Sequence, residues 1–185
     1  MSLAIVTPSS TRAVSVEEAK QWTGVPVDDD DIRILALIDA ATSHIEDFIR
    51  GTINQTVYDY RLRGFDNSIY LPNPPLVSVA SVKYIDVDGV EQTLATSVYD
   101  FDVNKTPGEI RLAYDQSWPS LRDVENNVTI RYTAGYTAVP EKIKLAILML
   151  VDHWYEHRGA ISELRLSENP YGFESLLNTF KQFKF

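Results

Sequence analysis

The sequence predicts an α+β fold, a helical bundle with a β-rich insertion between the long helices. Three observations predict it. Residues 15–51 carry apolar side chains at helical spacing, residues 52–136 alternate as strands do, and residues 139–181 return to helical spacing. Each of the two amphipathic helices needs a partner for its stripe, so Asp30–Arg50 is expected against Pro140–Arg158. The length of 185 residues predicts a single domain, 1–185, with 15–51 and 139–181 as the bundle and 52–136 as the insertion.

Ser15-Val16-Glu17-Glu18 is a capping box, in which the Ser hydroxyl accepts from an amide at the helix start and Glu18 reaches back. A short helix to about Trp22 follows, stopped by Thr23-Gly24-Val25-Pro26. Asp28–Asp31 then places acid at the positive end of a helix dipole. Ile32, Leu35, Ile38, Ala41, Ile45, Phe48 and Ile49 form the stripe of that second helix, with Gly51 expected as its C′ stop. In the middle, Tyr58, Tyr60 and Leu62 alternate with Asp59, Arg61 and Arg63. Ser78–Ile85 follows the turn cluster Pro72-Asn73-Pro74-Pro75, and Asp88-Gly89 is a hairpin signal because its turn needs positive φ. Tyr99, Phe101 and Val103 alternate, Thr106-Pro107-Gly108 turns the chain into Glu109–Tyr114, and Val128–Thr133 is the last strand. Pro140 suits the first turn of a helix. Ile143, Ala146, Ile147, Leu150, Val151 and Trp154 form its main stripe, which Leu145, Leu148, Met149 and Tyr155 widen. A helix this apolar is central or meets a partner. It is expected to end at Arg158-Gly159. After Asn169-Pro170-Tyr171-Gly172, a short helix turns Phe173, Leu176, Leu177 and Phe180 inward.

Composition narrows the function classes. Hydrophobic residues make up 44% and charged residues 23%, which can supply a core and excludes general disorder. Lys and Arg number 17 against 26 Asp and Glu, a net charge of -9, so a broadly basic nucleic-acid binder is not expected. The absence of cysteine removes disulfides, thiolate metal sites and cysteine nucleophiles. Met1–Ser10 has no basic region and only the apolar run Leu3–Val6, so no signal peptide is expected. No stretch approaches the ~18 apolar residues of a membrane span. A soluble, cytoplasmic, acidic protein is the expectation.

The sharpest enzymatic feature is His153-Trp154-Tyr155-Glu156-His157, which matches the H-x-x-E-H pattern of one class of zinc peptidases. A metal-dependent hydrolase would need His153 and His157 on one helical face, Glu156 as general base and a third ligand elsewhere. The motif sits at a helix end, and downstream carboxylates are confined to Glu163, Glu168 and Glu174, so the polar flank of a core helix is the preferred reading. Asp28–Asp31 lacks the alternation and glycine turn of a calcium loop and suits a helix N-terminus. Asp86-Val87-Asp88-Gly89 likewise reads as a hairpin. The 20 aromatic residues would allow a β-type ligand-binding module for carbohydrate or bases, but sheet core and cross-strand pairing account for them more simply. There is no glycine-rich phosphate loop and no G-x-S-x-G elbow. No enzyme, metal or cofactor is expected.

A set of short motifs in order carries a resemblance. They are Leu71-Pro72; Pro75-Leu76-Val77-Ser78-Val79 with Ser81-Val82-Lys83-Tyr84; Trp118-Pro119; Thr133-Ala134-Gly135-Tyr136 with Val139-Pro140; His153-Trp154-Tyr155-Glu156 with Arg158; and Tyr171-Gly172 with Glu174-Ser175-Leu176-Leu177. Over residues 15–180 this order resembles the head–tail connector (adaptor, head-completion) proteins of long-tailed bacteriophages, prophages and gene transfer agents. The last helix departs from the family, with Asn178-Thr179-Phe180-Lys181 where a Pro-Tyr-Arg-like run is common. The resemblance implies a structural virion protein with no catalytic residues. It implies a homo-oligomeric ring of about twelve subunits, closed by heterologous contacts. The implied partners are the portal protein above and a head-closure or tail protein below. DNA would pass through the lumen without specific binding, and the ring would be assembled in the host cytoplasm and carried in the virion.

The expected portal contact is residues 160–185. Phe173, Leu176, Leu177 and Phe180 form an apolar stripe, and Phe183 and Phe185 extend it. Lys181 and Lys184 against Glu174 make residues 171–185 net +1 on an otherwise acidic chain, which suits an acidic partner surface.

Overall fold

In the computed structural model, which describes residues 1–25, 28–156 and 172–182, the chain divides into two units. The first takes Met1–Thr11 and Asn54–Thr137; the second takes Arg12–Ile53 and Ala138–Phe185.

The first unit is built on two antiparallel sheets. Its strands are β1 (Ser2–Thr7), β2 (Thr56–Leu62), β3 (Ser68–Tyr70), β4 (Leu76–Ile85), β5 (Glu91–Thr93), β6 (Tyr99–Asp102), β7 (Glu109–Leu112) and β8 (Val128–Ala134). One sheet has the order β1-β2-β8-β4-β5 and the other β3-β7-β6. β8 is central because every second residue of Val128, Ile130, Tyr132 and Ala134 is apolar, and all four are fully buried. Its register sets Tyr132 opposite Tyr58 of β2, where the rings stack at 5.6 Å, and Ile130 opposite Val82 of β4. Tyr132 Oη donates to the Pro72 carbonyl at 2.8 Å, so the ring is buried without orphaning its hydroxyl. Burial drives the Tyr132 pKa upward. Trp118 stacks on Phe65 with centroids 4.5 Å apart and planes 6° from parallel.

On the opposite face of the larger sheet, Asp59 and Arg131 stand directly across from each other on β2 and β8. Arg131 Nε and Nη2 donate to the two Asp59 oxygens at 2.7 and 2.8 Å, the bidentate geometry that suits guanidinium and carboxylate. The Arg131 hydrogen bonds hold the Asp59 carboxyl below the usual carboxylate range, against the opposing effect of burial. Gly135, directly after β8, has φ of 121°, and a Cβ there would lie 2.8 Å from the Asn54 carbonyl. Glycine is required at this point of the Thr133–Tyr136 motif by both the backbone conformation and the close approach.

The second unit carries α1 (Val16–Thr23), α2 (Asp31–Ile49), α3 (Glu141–Glu156) and α4 (Phe173–Leu177). The capping box forms: Ser15 Oγ accepts from the Glu18 amide at 3.1 Å, and Glu18 Oε2 accepts from the Ser15 amide at 2.8 Å. α2 packs on α3, α1 on both, and α4 on α3. Ile143, Ala146, Ile147, Leu150 and Val151 of α3 are fully buried. The stripe of α2 follows the expected one through Ile38, Ala41, Ile45 and Ile49, with Leu35 and Phe48 half-buried, and departs from it only at its start. Ile34, Ile38, Ala41, Ile45 and Ile49 are buried, whereas Ile32 is 84% exposed. Its C-terminus also differs: Arg50, at φ 55° and ψ 46°, takes the left-handed cap expected one residue later at Gly51.

The expected α+β helical bundle with a β-rich insertion between long helices is overturned. Among the described residues there are eight strands in two antiparallel sheets and only four helices, mostly short, so by its elements the chain is mainly β. Two of the helices have 8 and 5 residues. Moreover β1 precedes every helix, so the larger sheet is not confined to the stretch between them. The reason is physical. Long helices announce themselves by a sustained stripe, whereas Ser68-Ile69-Tyr70 is too short to show a period, and β1 buries neither face.

Candidate partner-binding surface

α4 and the residues after it hold the expected portal contact, and the structure splits that set. Phe173 and Leu177 are fully buried. The Phe173 ring centroid lies 5.9 Å from His44 and 5.8 Å from Phe48, both on α2, so it closes the core of its own unit. Leu176 and Phe180 are half-buried. Lys181 is exposed, with Nζ 4.5 Å from the Phe48 ring centroid, a cation–π placement that sets the charge over an aromatic face. The Gln182 amide donates to the Ile49 carbonyl at 2.9 Å and ties the segment to the C-terminal end of α2. Phe183, Lys184 and Phe185 lie outside the described residues. The surface at this end is therefore Leu176, Phe180 and Lys181, while the rest of the described stripe faces inward.

The same unit has a second apolar surface. Between α1 and α3 runs a groove of about 480 Å³, with Val14, Trp22, Leu145 and Leu148 as its floor and Glu18, Glu141 and Lys144 among its rim. Trp22 is 48% exposed there. The widened stripe of α3 thus serves two purposes: its center is core, and Leu145 and Leu148 reach the surface.

The residues considered for metal chemistry are placed as follows. His153 and Glu156 lie on the last turns of α3, and His157 is outside the described residues. Among the described residues no group of three or more His, Asp or Glu side chains stands close enough to hold a metal ion. Burial, then the neighboring Glu156, raises the Asp152 carboxyl pKa. Tyr155 Oη donates to Asp30, and the Arg33 guanidinium lies 5.2 Å from the Tyr155 ring centroid. In the acidic run, Lys20 Nζ bridges Asp28 and Asp31, and its hydrogen bond holds the Asp28 carboxyl below its usual range. These acids tether a helix start to α1 and α3, and the N-cap Asp30 makes no side-chain capping hydrogen bond. At the hairpin, Asp86 accepts from the Asp88 and Val90 amides and from Gln92 Nε2, at 2.9 to 3.1 Å. Gly89 sits at φ 86°, the conformation the turn demands. Of the tyrosines, Tyr58, Tyr99 and Tyr132 are buried, while Tyr70 and Tyr114 are exposed.

Sequence reasoning missed two features. β1 presents exposed Leu3, Ile5 and Val6 at the edge of the larger sheet. Its signal was the run Leu3–Val6, which lacks alternation. The Asp59–Arg131 pair joins residues 72 positions apart, and only strand register brings them together.

Comparison with known proteins gives the chain its relatives. No curated protein sequence matches it. Its fold is similar to a protein in the neck of an empty gene transfer agent particle, computed with C6 symmetry, at 20% identity and a TM-score of 0.81, covering 100% of this chain and 97% of that one. A chain in the virion of a native gene transfer agent particle gives the same values. A chain in the neck of the native particle, computed with C12 symmetry, is 21% identical with a TM-score of 0.76 and the same coverage. At this identity the likeness is one of fold. Residues 12–163 match the family described as head completion protein, which is most of the chain, and the protein therefore belongs to the head completion protein family.

Proposed function

We propose that the chain is a structural component of the neck of a tailed-phage-like particle, forming a ring between the portal and the tail. Family membership over residues 12–163 carries this reading. It is supported by a fold shared along the full length with neck proteins of particles computed with C6 and C12 symmetry. In this role the protein works by shape and assembly, with no bond made or broken. DNA passes through the lumen during packaging and ejection, and the net charge of -9 suits a conduit that must release it. The ring is assembled in the host cytoplasm and carried in the virion.

The portal contact is assigned to the end of the chain. Leu176, Phe180 and Lys181 supply apolar and basic surface beside α4, and Phe183, Lys184 and Phe185 continue that chemistry in sequence. Phe173 and Leu177 support the segment from within. Deleting residues 178–185 is expected to preserve the circular dichroism spectrum, because both buried anchors remain, and to abolish co-sedimentation with portal rings. Binding of the truncated chain at wild-type strength would move the contact elsewhere. Failure of the full-length chain to join portal rings at all would refute the neck reading.

A further inference from the structure

We propose that the two free edges of the five-stranded sheet meet head to tail between neighboring copies of this chain, the β1 edge of one against the β4–β5 hairpin edge of the next. The inference rests on the ring reading above and names the contact that would build the ring. In the order β1-β2-β8-β4-β5 each outer strand leaves one row of backbone donors and acceptors without a partner in the sheet. Monomeric proteins protect such edges with charge, proline or very short strands. β1 has six residues, no charge and no proline, and all six are exposed. Its one irregularity falls between Ile5 and Thr7 and leaves Ser2–Ile5 a regular edge.

The side chains make the same point. Leu3 and Ile5 stand opposite Tyr60 and Tyr58, so they continue the core-facing side of the sheet past the part that is covered. Ile5 is 62% exposed there. At the far edge of the same sheet, Val87 and Val90 flank the hairpin tip and are 61% and 53% exposed. One edge is apolar with Arg61 exposed one strand in, beside Ser2. The other is the three-residue β5, Glu91-Gln92-Thr93, whose apolar surface is confined to Val87 and Val90 at the hairpin tip beside the Asp88 carboxylate, since Asp86 is engaged by the turn and Glu91 by Lys83 at 2.8 Å. The apolar β1 edge beside Arg61 and the hairpin tip with its exposed valines and Asp88 are unlike surfaces, so a contact between them requires a second copy related by rotation. Such heterologous contacts form a ring where the rotation closes. Four antiparallel pairings separate β1 from β5, so the two run in the same direction. A sheet continued across the contact would gain a parallel pair.

The chain has no cysteine, which makes the test direct. The full-length double variant Ile5→Cys/Val90→Cys, oxidized mildly at high protein concentration, is expected to give a ladder of multimers on a non-reducing gel, at least tenfold above either single variant. An equal mixture of the two single variants should stop at dimers. Arg61→Glu should weaken the ladder severalfold and Asp88→Arg should restore it. Strong dimer formation by Ile5→Cys alone would show a two-fold β1–β1 contact and overturn the proposal. Rings of the wild-type chain seen by negative-stain electron microscopy, with no ladder from the double variant, would overturn this contact and leave the ring reading standing. Absence of both ring and ladder, with portal present, would overturn both.

Discussion

β8 and β1 lie two strands apart in the same sheet and are built on opposite plans. β8 buries Val128, Ile130, Tyr132 and Ala134 completely and is hydrogen-bonded on both sides, to β2 and to β4. β1 is comparably apolar, yet every one of its residues is exposed, and it pairs on one side only. Apolar character therefore does not by itself mark core in this fold. Position in the sheet decides whether an isoleucine holds the unit together or is left for a partner. The same division runs through α4 and the turn after it, where Phe173 and Leu177 are core while Leu176 and Phe180 stay half-exposed.

The largest expected effect breaks the central strand. Ile130→Ala removes a fully buried side chain between β2 and β4. It should cost about 2–5 kcal/mol in urea unfolding. A loss below about 1 kcal/mol would mean that β8 is not the center of the core.

The next change tests the polar face of the same strand. Asp59→Asn removes the charge that Arg131 grips while keeping the shape. The folded-state pKa of Asp59 is depressed, so its stabilization is fully present above the ordinary carboxylate range and is lost as pH falls through the folded value. The variant should melt below wild type at pH 7, and the gap should narrow as pH drops through the carboxylate range. A gap that stays constant from neutral to strongly acidic pH would show that the ion pair contributes nothing.

These two residues also show what the sequence could and could not reveal. The capping box located the start of α1 because Ser15 and Glu18 satisfy each other's amides locally, within four residues. The stripe of α3 was legible because its burial follows directly from helical spacing. The stripe of α2 was legible from Ile38 to Ile49, but not its start, where Ile34 is buried and Ile32 is exposed in the first turn. Arg50 took the cap ahead of Gly51 because the last turn closes on Glu46. Asp59–Arg131 depends on register between strands 72 residues apart, which no local pattern encodes. At the candidate contact, the C-terminal apolar stripe was visible, but which of its side chains turn inward is set by His44 and Phe48 on another helix.

A smaller effect isolates one hydrogen bond. Tyr132→Phe keeps the stacked ring against Tyr58 and deletes only the hydroxyl that donates to Pro72. It should cost about 0.5–1.5 kcal/mol, the net worth of a typical internal hydrogen bond. Because the Pro72 carbonyl also loses a partner, the upper half of that range is expected. A neutral outcome would mean that solvent replaces the donor at that carbonyl.

The smallest expected effect is on the other strand of the comparison. Ile5→Ser changes an apolar residue to a polar one in the sheet, and on β8 such a change would be severe. On β1 the side chain is 62% exposed and sits at an edge, opposite Tyr58 but not covered as Tyr58 is. Little apolar area leaves water there on folding, so little stabilization can be lost. The backbone ladder to β2 is untouched, since serine donates and accepts as isoleucine does. Dilute Ile5→Ser protein should therefore unfold within about 0.5 kcal/mol of wild type, the range of ordinary surface substitutions. The same variant should reduce self-association at high concentration, measured by sedimentation velocity. A large stability loss in the dilute protein would place Ile5 in the core and erase the distinction between the two strands. Unchanged stability with unchanged self-association would keep the distinction but show that the β1 edge is not where copies meet.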